Sequence, residues 1–210
     1  MEMSNMSQPK KLGYIPVLLT IALILLAAAI LAVRYEDQLF PVVAESKEDF
    51  NLRVAQAHAR EEPDNAVTRI NLGWLLYTRG EYELAVEELE AAVELDPESE
   101  IAQYNLGLAY LELKNYEEAK EKLLKSLELS QHPNMVFFAL GELFLRQQNY
   151  DQAILYLEEG IRWLPYKAEL YLKLAEAYEE KGMSEEAEVN YERAFEYAPL
   201  LRDEYKRNKK

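Results

Sequence analysis

The chain has 210 residues, a formal charge of −15, two histidines and no cysteine. The missing cysteines exclude disulfides, thiolate metal sites and a cysteine nucleophile, and an excess of carboxylates this large repels phosphate backbones, so nucleic acid is a poor partner. Lys10, Lys11 and Arg34 against Glu2 put +2 on residues 1–35, which leaves −17 on residues 36–210.

A short tail, residues 1–11, comes first. Residues 12–33 then run for 22 positions without a charge. A helix of that length spans roughly 33 Å, enough to cross the hydrocarbon core of a bilayer. Gly13 and Pro16 stand near its start, where a helix tolerates them. A secretory leader has a shorter apolar run, about 7–15 residues, before a small-x-small cleavage site. Leu31-Ala32-Val33-Arg34 offers no such site, so the expectation is an uncleaved single-pass signal-anchor helix. Lys10 and Lys11 before it and Arg34 after it bias the N-terminus to the cytoplasmic side. The acidic remainder is then expected on the outer side of a bacterial cytoplasmic (inner) membrane, the periplasm where there are two membranes. Ala22, Ala27, Ala28, Ala29 and Ala32 supply small residues for contact between membrane helices.

Residues 34–47, with Pro41, read as a linker. Residues 48–61 read as an amphipathic helix with Phe50, Val54, Ala55 and Ala57 on or near one face, and Pro63 closes this extra segment, 48–65. It resembles the second half of a degenerate repeat that packs on the next helix and covers an apolar end.

From residue 66 to residue 201 the sequence aligns with itself four times at a spacing of 34, in units 66–99, 100–133, 134–167 and 168–201. Gly73, Gly107, Gly141 and Ala175 share a column, each preceded by leucine. Ala85, Ala119, Ala153 and Ala187 make a second column, and Ala92, Ser126, Gly160 and Ala194 a third. Each unit holds two helical patterns, 66–78 and 82–95 in the first, with Gly80 between them. Small residues recur where two helices must approach closely, and Asp96-Pro97 stops a helix because the residue before proline leaves the α region. Pro97, Pro165 and Pro199 close three units; in the second, Gln131 takes that place and Pro133 follows, so the turn there is expected to shift. Leu200, Leu201 and Tyr205 predict a short closing turn before a basic tail, 202–210.

These columns resemble the tetratricopeptide repeat family, in its membrane-anchored bacterial form. The resemblance implies an all-α, right-handed solenoid of helix-turn-helix repeats that acts by binding protein. It also implies that the first helix of every unit lines an inner, concave surface where ligands bind.

Helical spacing places Val67, Ile70, Trp74 and Tyr77 of unit one on that surface, with Ile101, Tyr104, Leu108 and Leu111 of unit two and Met135, Phe138, Glu142 and Leu145 of unit three. Unit four presents Glu169, Leu172, Glu176 and Glu179. The opposite face carries the core leucines, so the helices over 66–78 and 100–113 are apolar nearly all round, and such helices are covered on every side. Two coverings fit. One is an apolar or amphipathic segment of a partner protein, anchored on Trp74, Tyr104 and Phe138, with a basic flank facing the acidic unit four. The other is self-occlusion, by tight superhelical curvature or by the chain's own residues 40–59. A clamp for a free C-terminal carboxylate does not fit, because Ile70 and Phe138 stand where cations are needed.

His58 and His132 lie in different elements, no glycine belongs to a phosphate-binding loop, and pairs such as Glu87-Glu88 lie on outward faces. The expectation is a non-enzymatic scaffold, without cofactor or metal, for assembly of a cell-envelope complex. A permanent accessory subunit of a membrane complex and a cytoplasm-facing recruiter are the alternatives.

Overall fold

The computed structural model describes residues 46–208, together with Leu25 and Leu26. The expected membrane span lies outside the described residues except for those two leucines, which are helical; the tail 1–11 and nearly all of the linker lie outside as well. Among the described residues no helix is long and apolar enough to cross a membrane. The chain divides into two units, Met1–Ser46 and Lys47–Lys210, and the helices below belong to the second.

Among the described residues there is no strand, and the second unit holds ten described helices. They are α1 (Lys47–Glu61), α2 (Ala66–Thr78), α3 (Tyr82–Leu95), α4 (Glu100–Glu112), α5 (Tyr116–Leu129), α6 (Asn134–Arg146), α7 (Tyr150–Trp163), α8 (Ala168–Glu180), α9 (Ser184–Tyr197) and α10 (Pro199–Asn208). Helices α2 to α9 form four pairs, each second helix packs on the first helix of the next pair, and successive first helices touch. Every element meets only near neighbours in the chain, which is the organisation of a solenoid.

The glycine column explains how closely the pairs approach. A Cβ on Gly73, Gly107 or Gly141 would lie 2.5, 2.7 or 2.6 Å from the nearest side-chain carbon of Leu89, Leu123 or Leu157. Those three leucines are fully buried, as are Ala85, Ala119 and Ala153. Each first helix ends in a left-handed residue, again at the period of the repeat: Gly80 (φ 78°), Lys114 (62°), Gln148 (58°) and Gly182 (82°). The next backbone N–H then reaches back to satisfy an orphan carbonyl, as from Glu81 to Leu76 at 3.0 Å and from Met183 to Tyr178 at 2.8 Å.

The proline turns have their own device. Arg69, Gln103 and Tyr171, one period or two apart, donate to the carbonyls of Pro63, Pro97 and Pro165 at 3.3, 2.9 and 2.9 Å. In unit three Phe137 fills that column and Gln131 replaces the proline. The turn is instead held by Ser130, which donates to Glu100 at 2.6 Å and accepts from the His132 N–H at 3.1 Å. The local change leaves the register intact, because α6 still begins at Asn134.

Both ends differ in detail from the sequence expectation. On α1 it is Leu52, Ala55 and Ala59 that pack on Leu72 and Leu76, while Phe50 is 49% exposed. The closing segment is a helix, not a short turn or tail. In that helix Leu201 and Tyr205 are four residues apart and fall on one face against Tyr191 and Phe195, whereas Leu200 is turned to solvent.

Candidate functional site

The first helices α2, α4, α6 and α8 stand side by side, so residues at equivalent positions form rows across the repeats. The row of Val67, Ile101 and Met135 is the most open, at 62, 60 and 42% exposure, and Trp74 is 41% exposed. Ile70, Tyr77, Leu108, Glu142 and Leu145 are half-buried, as are Tyr104 and Phe138. Trp74 stacks on Tyr77 with ring centroids 5.2 Å apart. Large apolar side chains therefore remain open on helices whose other face is already committed to the core.

Leu111 does not belong to this surface. It is buried in the core with Leu123, Leu140 and Leu143, because α6 stacks over the end of α4 and Arg146 Nη1 donates to the Leu111 carbonyl at 3.3 Å. The described part of residues 40–59 reaches the first helix of unit one alone: α1 packs on α2, where Val54 and Trp74 line one cleft, and it meets no other first helix. Residues 40–45 lie outside the described residues.

The electrostatics centre on a residue that sequence reasoning missed. Arg146 bridges Glu112 and Glu142 across two repeats at 2.9 and 2.8 Å. Burial alone would lower its guanidinium, and the hydrogen bonds to the two carboxylates more than offset that, leaving it above its ordinary value. Burial, then Tyr77 and Glu142, push the Tyr104 hydroxyl up to about 12. Burial and then Glu112 raise Tyr77 in the same way. The signal was available, since Arg146 follows Glu142 by four residues and Glu112 by one repeat. At the rim, Lys167 lies 5.9 Å from the Phe138 ring centre and 3.9 Å from Met135 Sδ. In unit four Glu176 pairs with Lys173 at 2.9 Å, Glu179 accepts from the Tyr191 hydroxyl at 2.6 Å, and Glu169 is exposed. The far end is acidic, though less so than the glutamates alone suggest. Among the described residues no group of three or more His, Cys, Asp or Glu side chains converges as a metal site.

Helix pairs stacked at a constant period, with an open apolar face on their first helices, define a helical-repeat interaction scaffold. Two family models, each described as tetratricopeptide repeat, match residues 70–134 and 144–207. Together they take in more than half of the chain, which belongs to the tetratricopeptide repeat family. No curated protein matches it in sequence. Among solved structures, a MamA protein is 27% identical with a TM-score of 0.65, over 71% of this chain and 82% of that one. YrrB, described as a TPR protein with an unusual peptide-binding site, is 25% identical with a TM-score of 0.59, over 69% of this chain and 75% of its own. MamA (41-end) from Desulfovibrio magneticus RS-1 has a TM-score of 0.68 over 80% of this chain and 96% of that one, and its 18% identity carries the fold alone.

Proposed function

We propose that this chain is a membrane-anchored adaptor, not an enzyme, which holds an apolar or amphipathic segment of a partner protein along the inner face of units one to three. The observation that carries the reading is the open row of Val67, Ile101 and Met135 beside Trp74. Rigid aromatic and aliphatic anchors of this kind concentrate binding energy, and the peptide-binding site of YrrB supports a peptide as the ligand class. Glu169 and the carboxylates near Arg146 favour a segment with Lys or Arg beside its apolar stretch. The uncharged run at 12–33 supports an anchor in the bacterial inner membrane, and its flanking lysines support a repeat domain on the outer side, in assembly of an envelope complex.

A photo-reactive residue at Ile101, in cells carrying the full chain, tests the groove. The expected product is a crosslink to an apolar segment of another protein, lost in the Trp74→Ala, Phe138→Ala variant while helicity is kept. A crosslink that survives both substitutions removes the groove from the reading. Protease protection in spheroplasts tests the topology: a repeat domain cleaved only after the inner membrane is opened overturns the outer placement.

A further inference from the structure

The inner face changes character along the first helices. Val67, Ile101 and Met135 are the second residues of α2, α4 and α6, and they make an open apolar lane at the amino ends. Towards the carboxyl ends the lane is polar. On α4, Tyr104, Leu108 and Glu112 follow at four-residue spacing, and on α6 Phe138, Glu142 and Arg146 do the same, so each trio lies on one stripe of its helix. Tyr77, in the last turn of α2, lies within electrostatic reach of Glu112 and Glu142. Arg146 binds both oxygens of Glu112, at 2.9 and 3.3 Å, and Oε1 of Glu142 at 2.8 Å. Two carboxylates against one guanidinium leave a formal charge of −1. Arg146, Glu112 and Glu142 are 31, 26 and 27% exposed, so that charge is open to the groove. The two hydroxyls register its sign. Burial raises Tyr77 most, and Glu112 and Glu142 each add more than Arg146 takes away; burial, Tyr77 and Glu142 raise Tyr104. A negative charge in a half-buried apolar groove selects a cation.

We infer that the partner segment brings one lysine to this place: its apolar side chains lie along Val67, Ile101 and Met135, and the lysine crosses Leu108 to set its ammonium beside Glu142 and the Tyr77 and Tyr104 hydroxyls. The inference rests on the groove reading above and gives that segment its register. Lysine fits better than arginine, because Arg146 already takes the fork of Glu112. Oε2 of Glu142 and the two hydroxyls are separate acceptors on three helices. Three donors on a point charge match separate acceptors, whereas a planar guanidinium matches a fork. The four-carbon stem covers Leu108, which is half-buried.

The charge balance gives the test. The probe is a random peptide library displayed on phage and selected on the full chain in detergent. Binders lost on Ile101→Arg occupy the groove. They are expected to carry one Lys among apolar residues, and exchange of that Lys for norleucine is expected to weaken them about tenfold. The same exchange is expected to cost more on Arg146→Gln, which leaves the site with two negative charges, and nothing on Glu142→Gln, which leaves it neutral. On the wild type the cost is expected to shrink in about 0.5 M salt, a reading that needs no variant. Groove binders with Arg in place of Lys, or with no basic residue, overturn the inference and leave the groove standing. So does a norleucine exchange that costs the same on wild type, Arg146→Gln and Glu142→Gln, or that ignores salt. Binders that survive Ile101→Arg overturn the groove as well, as does a library that yields none.

Discussion

Gly107→Ala separates two forces that act on the same atom. In an exposed helix the change stabilises by about 1 kcal/mol, since alanine loses less backbone entropy. Here the new Cβ meets Leu123 Cγ at 2.7 Å and Cδ2 at 2.9 Å, with the Leu123 backbone nitrogen 3.2 Å away. The first of these is a branch carbon, and Leu123 is fully buried between repeats, so it has little room to turn aside. Overpacking of this kind costs about 1–3 kcal/mol, and the tight contact puts the cost at the upper end. The net expectation is a loss of about 1–2 kcal/mol. Leu123→Ala removes the obstacle, at its own cost of about 2–5 kcal/mol. In that background Gly107→Ala is expected to stabilise by about 1 kcal/mol, which makes the coupling between the two sites about 2–3 kcal/mol. Urea titration of the four full-length proteins, followed by circular dichroism, measures the cycle. If Gly107→Ala raises the midpoint in the wild-type background as it does in the Leu123→Ala background, close packing is not the reason for glycine in this column.

The left-handed residues give a prediction of opposite sign. Lys114→Gly and Gln148→Gly are each expected to stabilise by about 0.5–1 kcal/mol in urea, because a side chain at positive φ is strained and glycine is not; Gly80→Ala is expected to destabilise. Tyr104 ties stability to alkaline pH. Its folded value near 12 lies above its ordinary 10, so the folded state keeps a proton the unfolded state releases. That contribution is complete below pH 10 and is lost as pH rises from 10 towards 12, by up to about 2.5 kcal/mol. Tyr104→Phe is expected to flatten that part of the melting-temperature profile, and an unchanged slope refutes the assignment. Arg146→Gln leaves Glu112 and Glu142 facing each other, so the urea midpoint is expected to fall at low ionic strength and to recover towards wild type in about 0.5 M salt.

The repeat was legible from the sequence because its packing is local and periodic. Gly73, Gly107 and Gly141 announce close approach wherever they stand, and the helices over 66–78 and 82–95 follow from apolar spacing and from Gly80 between them. The open anchors Val67, Trp74, Ile101 and Met135 were legible for the same reason, since helical spacing alone separates the inner face from the leucines of the core. Leu111 was not, because its burial depends on the next repeat lying over the end of α4, and no pattern within unit two records that.

What sequence periodicity determined by itself is the pairing of helices, their turns and which face of each helix is committed to the core, all set by contacts a few residues or one repeat apart; that the other face of the first helices lines an inner surface is what the family resemblance implies. What tertiary structure alone decided is the chemistry of the ends and of the groove. Arg146 neutralises carboxylates from two repeats because stacking brings Glu112 within 2.9 Å. The last ten described residues become a helix because Leu201 and Tyr205 find Tyr191 and Phe195 to cover. Each of these depends on which surface stands beside which, and sequence spacing carries that information only inside the repeat, where every neighbour is a copy.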